Sequence, residues 1–277
     1  KLLHMKTWLL PIDFSETSKN AARYAVALAN ETPDVKLVLY HVFGKIAAGS
    51  DGTPLDLSNT TRKDIAELAM NNLISELAHS SPIEVVAEEG ESLTENLARY
   101  VRHNGADLVV MGLTGASRIE QLLMGTNALN MAHAAVCPVL IVPPQASYSP
   151  VKNILFATDM KNVKQTTPIK ALRSVVSIFN AKLHVVNVDA DHYVELTEEY
   201  KAERANMESI LEGFNPDYYF VRINDFLDAV QTFVEDKKID VIITVPRKHS
   251  FLSSLFKPSH TRKLLYHTHV PLIAIHE

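Results

Sequence analysis

Trp8-Leu9-Leu10-Pro11-Ile12-Asp13 and Ile154-Leu155-Phe156-Ala157-Thr158-Asp159 are two versions of one segment, a short apolar run ending on an aspartate, 146 positions apart. The same offset carries residues 37–42 (Leu-Val-Leu-Tyr-His-Val) onto residues 183–188 (Leu-His-Val-Val-Asn-Val). Further on, residues 106–111 correspond to 239–244, and residues 137–142 to 270–275, both with an offset of 133. Two constant offsets separated by one step describe a duplicated unit. The second copy is shorter between its second and fourth strands, and the extra residues of the first copy fall in the Gly-, Ser-, Asp- and Pro-rich stretch 44–59. A turn-forming stretch at 143–150, with three prolines, separates the copies. The expected domains are therefore residues 1–146 and 147–277.

Helical periods lie between the apolar runs. Ser15 is placed to cap a helix that carries Ala21, Ala22, Ala25, Leu28 and Ala29 on one side. Ile65, Leu68, Ala69, Leu73 and Leu77 read as a second buried stripe, and Leu93, Leu97 and Val101 as a third. Runs such as 108–111 and 241–245 are apolar throughout, as strands covered on both faces must be. Strands alternating with helices give right-handed crossovers and parallel sheets. The fold class is thus α/β: two tandem five-stranded, parallel, doubly wound sheets. Such sheets take ligands beyond the carboxyl ends of their strands, where the strand order reverses.

Composition narrows the function classes. The chain has 277 residues, 47% hydrophobic and 21% charged, with a net charge of −5 and one cysteine, Cys137. That apolar content rules out a disordered chain. No basic stripe of the kind a general nucleic-acid binder carries is present, and no apolar run is long enough to span a membrane. The run 8–12 is too short for a signal-peptide core. A single buried-strand cysteine points to a reducing, cytoplasmic compartment.

The motif that carries chemistry follows the fourth strand: Gly112-Leu-Thr-Gly115-Ala-Ser-Arg-Ile-Glu-Gln-Leu-Leu-Met-Gly125-Thr126-Asn127. Glycine at a strand end allows close backbone approach, and a helix opening at Thr126 offers free amides and a favourable dipole to an anion. His41 reads as a satisfied core histidine. In the second copy Pro246 is read at the place of Gly112, His249 at Gly115 and Ser259 at Gly125, so side chains fill the space that phosphate contact needs. The loop there is basic, with Arg247, Lys248, Lys257, Arg262 and Lys263, which suits an acidic protein partner.

With these residues quoted, the chain resembles the universal stress protein family in its tandem two-domain form. The resemblance implies strand order 3-2-1-4-5 in each half, the adenine nucleotide alpha hydrolase-like fold. It implies ATP, or ADP or AMP, as ligand, with Mg²⁺ or Mn²⁺ on the phosphates. Pro11, Ile12 and Asp13 fall at the adenosine-contacting end of strand one, and Val42 beside adenine. Met111, Gly112 and Gly115 fall in the ribose and phosphate loop, and Gly125, Thr126 and Asn127 at the phosphate-gripping helix start. Family dimers pair through their fifth strands, which here implies a pseudo-dimer within one chain, through residues 139–142 and 272–275, and leaves room for a homodimer. No Walker motif, nucleophile elbow or kinase signature is present, so no catalytic residue is assigned. The alternatives are a nucleotide-independent regulatory scaffold and a slow ATPase.

Overall fold

The computed structural model describes residues 5–44, 58–113, 126–189, 197–222, 226–246, 264–265 and 268–276. Its first half runs β1 (Lys6–Pro11), α1 (Glu16–Glu31), β2 (Val35–Phe43), α2 (Asn59–Glu76), β3 (Ile83–Glu89), α3 (Leu93–Asn104), β4 (Leu108–Gly112), α4 (Thr126–Ala134) and β5 (Val139–Val142). The second half runs β6 (Asn153–Thr158), α5 (Val163–Thr166), α6 (Ile169–Val176), β7 (Lys182–Asp189), α7 (Glu198–Ile210), β8 (Asp217–Arg222), α8 (Phe226–Lys237), β9 (Val241–Thr244) and β10 (Leu272–Ala274).

All ten strands form one sheet in the order β3-β2-β1-β4-β5-β10-β9-β6-β7-β8. Each half reads 3-2-1-4-5 from its outer edge inward. The two half-sheets are joined at a seam, through the fifth strands whose pairing the family resemblance implies. β5 and β10 pair antiparallel, Ile141 with Leu272, Leu140 with Ile273 and Val139 with Ala274, while every other neighbouring pair is parallel. A lone five-stranded half would leave its fifth strand with open backbone donors and acceptors; pairing the two removes both edges.

The apolar side chains divide between two layers, one on each face, and each layer continues across the seam. Leu140 and Ile273 belong to one, Ile141 and Leu272 to the other, all four fully buried. The residues expected on α1 are buried there, under an N-cap in which Ser15 Oγ accepts from the Ser18 amide at 3.2 Å. Helix α2 differs from its expectation. It buries Ala66, Met70 and Leu73, whereas Ile65 and Leu68 stand 55% and 62% exposed. The inward stripe is one residue out of phase with the one read from Ile65 and Leu68. The small Ala66 and flexible Met70 fit close under the sheet, and periodicity alone does not fix a helix's rotation.

The first helix of the second half is broken. α5 is four residues long and ends before Pro168, which stands at the N-cap of α6. The β10–β9 register, Leu272 with Ile242, repeats the β5–β4 register, Val139 with Val109. That register places Val245, not Pro246, at the position of Gly112, in agreement with the offset of 133 between the copies. Val245 packs in the same apolar layer as Val163 of α5, whereas a side chain at Gly112 would meet the Thr17 carbonyl of α1.

Two measurements test the seam. Leu140→Ala should lower the unfolding free energy by about 2–5 kcal/mol in urea, followed by the fluorescence of Trp8; a loss well under 1 kcal/mol would mean the halves hold together elsewhere. His276, next but one after β10, has its pKa held down to about 4 by burial and by His133. The folded value lies below the ordinary 6.5, so the unfolded chain takes up the proton first. Stability should be full above pH 6.5 and fall between there and pH 4, and His276→Asn should flatten that fall.

Candidate functional site

An open cleft of about 930 Å³ lies over the carboxyl ends of β1, β2, β3 and β4. Pro11, Ile12, Asp13, Val42, Met111, Gly112 and Asn127 all line it, so the structure brings together seven residues singled out in the sequence. Thr126 begins α4, and its side chain lies outside the described residues, as do Gly115 and Gly125. His41 also lines the cleft, along with Ser18, Asn130 and the turn from Gly90 to Glu95.

Three helices start at this cleft. α1 starts beside Asp13 and Ser18, α3 at its N-cap Ser92, and α4 beside Asn127. Each start turns the positive end of a helix dipole toward the cleft, and at α1 and α3 the Ser15 and Ser92 hydroxyls take one amide each. The crossing order of the sheet produces this convergence, because β1 and β4 are neighbours whose following helices leave on opposite faces. Among the described residues lining the cleft, the charged side chains are Asp13, Glu91 and Glu95, and no lysine or arginine is among them.

Asp13 is held in an Asx turn rather than acting as the cap itself. Its Oδ1 accepts from the Ser15 hydroxyl at 2.5 Å and the Ser15 amide at 3.0 Å. Partial burial works to raise its pKa, but the hydrogen bonds from Ser15 and Ser18 outweigh it and hold the carboxyl below the usual aspartate value. The residue that follows, Phe14, has φ 64°, and its counterpart Met160 has φ 51°. Both halves therefore turn the chain in the same left-handed way after strand one. In the second half, however, Asp159 is only 8% exposed and Met160 4%.

Gly112 differs in its physical reason. A Cβ there would stand 2.5 Å from the carbonyl oxygen of Thr17 and 2.8 Å from its carbon. The glycine is needed for the first turn of α1 to lie against the end of β4, and that close packing shapes the cleft. His41 is satisfied but is not a core residue. It is half-buried, its Nδ1 lies 2.6 Å from the Ile12 carbonyl, and its ring packs 5.0 Å from Phe14. The bond to a carbonyl makes Nδ1 the protonated nitrogen and leaves Nε2 as an acceptor. Cys137 is buried, with its thiol pushed up to about 12 chiefly by burial, which makes it an inert small hydrophobe.

The sequence model of the universal stress protein family matches residues 5–143, half of the chain. The chain belongs to the universal stress protein family. Among curated relatives, a universal stress protein of Methanocaldococcus jannaschii is 29% identical over 143 residues, 50% of this chain and 81% of the relative. One from Bacillus subtilis, YxiE, is 26% identical over 144 residues, 48% of this chain and 96% of the relative. A universal stress protein from Archaeoglobus fulgidus matches the whole fold, with a TM-score of 0.68 over 99% of this chain and 97% of that one, at 17% identity. The adenine nucleotide alpha hydrolase-like architecture therefore extends over both halves.

Sequence reasoning missed the turn from Gly90 to Glu95 as a wall of the site. The signal was present as Ser92-Leu-Thr-Glu95, the capping-box pattern, in which Ser92 Oγ accepts from the Glu95 amide at 3.4 Å. A capping box marks a helix start but does not say that the start faces a ligand.

Gly112→Ala should cost about 1–3 kcal/mol of stability without any ligand present, because the clash is with helix backbone that cannot swing away. Thermal unfolding measures it, and an unchanged midpoint would mean α1 packs less closely than described here.

Proposed function

We propose that the cleft binds ATP or a related adenine nucleotide, and that residues 1–146 form the nucleotide-binding domain of a cytoplasmic stress-response protein. The convergence of three helix starts on one cleft carries this reading. The positive dipole ends at those starts suit phosphate oxygens, and the apolar strand ends Ile12, Val42 and Met111 suit the flat face of a base. The Asp13 carboxylate, kept ionised and oriented by Ser15, is an acceptor suited to ribose hydroxyls.

Asp13, Glu91 and Glu95 put negative charge on the cleft that a polyphosphate would enter. A divalent cation, Mg²⁺ or Mn²⁺, would offset that repulsion by neutralising the phosphates. Among the described residues no group of three or more histidines, cysteines or carboxylates could hold a metal by itself. No described helix is long and apolar enough to cross a membrane.

Residues 147–277 are proposed as a degenerate copy that serves as packing partner or protein-binding module. The burial of Asp159, where its counterpart Asp13 is exposed, and a valine in place of Gly112 support this reading. One observation favours the alternative, a scaffold that needs no nucleotide: Gly112 is required for packing against α1 whether or not a ligand binds.

Isothermal titration with ATP, ADP and AMP, with and without Mg²⁺, separates the readings. Saturable binding with a Kd below about 1 mM is expected. Asp13→Ala should weaken it about tenfold, the worth of one charge-assisted hydrogen bond. Failure of all three nucleotides to bind would leave the scaffold reading.

A further inference from the structure

The β3 side of the cleft is formed by the turn from Gly90 to Glu95. Among the described residues β3 is an edge strand, with no strand beyond it to steady that turn. Side chains do so instead. Glu88, in register beside the cleft residue Val42, uses Oε2 to accept from the Tyr40 hydroxyl at 2.5 Å and from Arg99 Nη2 at 2.6 Å. Tyr40 is wholly buried on β2, and Arg99 lies on α3. One carboxylate therefore ties β2, β3 and α3 together at the point where the wall begins.

Asn96 extends the tie into the turn. With the amide turned so that its oxygen faces Arg99, its nitrogen donates to the Ser92 carbonyl at 3.0 Å and the oxygen accepts from Arg99 Nη2 at 3.1 Å. Asn96 is 5% exposed, and a Cβ on Gly90 would collide with its amide, so the glycine makes room for it. The chain of contacts runs from Tyr40 through Glu88, Arg99 and Asn96 to Ser92, the N-cap of α3.

Resting on the nucleotide reading above, we propose that Glu88 is a positioning residue: by engaging Tyr40 and Arg99 it presets the wall at residues 90–95 for the nucleotide. Its side chain and that of Arg99 are 32% and 53% exposed. An ion pair that exposed adds little to global stability. What it supplies is local order, and a wall ordered before binding does not have to be ordered by the ligand. The carboxyl is well suited to this, because Tyr40 and Arg99 outweigh the effect of its partial burial and keep it ionised.

The test uses the full chain and the Glu88→Gln variant, with Glu84→Gln as control. Glu84 lies on the same strand and pairs with Lys36 on the surface, away from the cleft lining. Hydrogen exchange is read without ligand, and the ATP Kd is read by titration. Glu88→Gln should speed exchange at residues 90–95 about tenfold, weaken ATP about tenfold and leave the urea midpoint unchanged, the size expected for one charged hydrogen bond lost locally. Glu84→Gln should change none of these. Unchanged exchange at 90–95 overturns the proposal. So does a fall in midpoint with exchange raised throughout, which is what a merely structural residue would show. If the wild type binds no nucleotide, the functional reading fails, and the exchange data still decide whether Glu88 holds the wall. Should Glu88→Gln not fold, Tyr40→Phe removes a single donor and is read in the same way.

Discussion

Three antiparallel residue pairs, Val139 with Ala274, Leu140 with Ile273 and Ile141 with Leu272, join two parallel half-sheets into one. The rest of the molecule depends on that seam. A parallel sheet covered by helices on both faces buries its interior strands but leaves its edges open. Joining the fifth strands back to back puts what would have been two edges at the centre of the molecule. It also lets both apolar layers run on from one half into the other. The seam strands are short, four and three residues, so their hydrogen bonds alone are few, and the fully buried side chains on both faces do most of the holding.

With the seam settled, the two halves are free to differ at their outer ends. In the first, Gly112 lets α1 begin hard against β4, and the helix runs unbroken from Glu16 to Glu31. In the second, Val245 takes the corresponding place, the first helix breaks into α5 and α6, and Asp159 is covered. The switch point of the first half thus opens on a cleft, while the corresponding strand ends of the second half carry a buried aspartate and a valine.

The fold was legible in the residues because burial leaves a periodic trace. Apolar runs at constant offsets disclosed the duplication, and their continuity disclosed strands covered on both faces. The candidate site was legible where backbone geometry demands a residue type, as with the strand-ending Asp13 and Gly112. It was not legible where the requirement is relational. Gly112 reads as room for a ligand until α1 is seen beside it. Leu68 reads as core until the rotation of α2 is known. His41 reads as an interior residue until Ile12 and Phe14 are found against it at the cleft. Glu88 looks like any acid on an edge strand, and nothing in its neighbours along the chain points to Tyr40 or Arg99.

By itself the amino-acid sequence determined the α/β class, the duplication, the strand order and the pairing of the fifth strands, since each follows from apolar pattern and from resemblance to one family. Only the tertiary structure decided which face of α2 turns inward, that Gly112 is needed for α1 to pack against β4, and that the start of α3 walls the cleft. Those depend on contacts between residues far apart in the chain, whose distances no local pattern encodes.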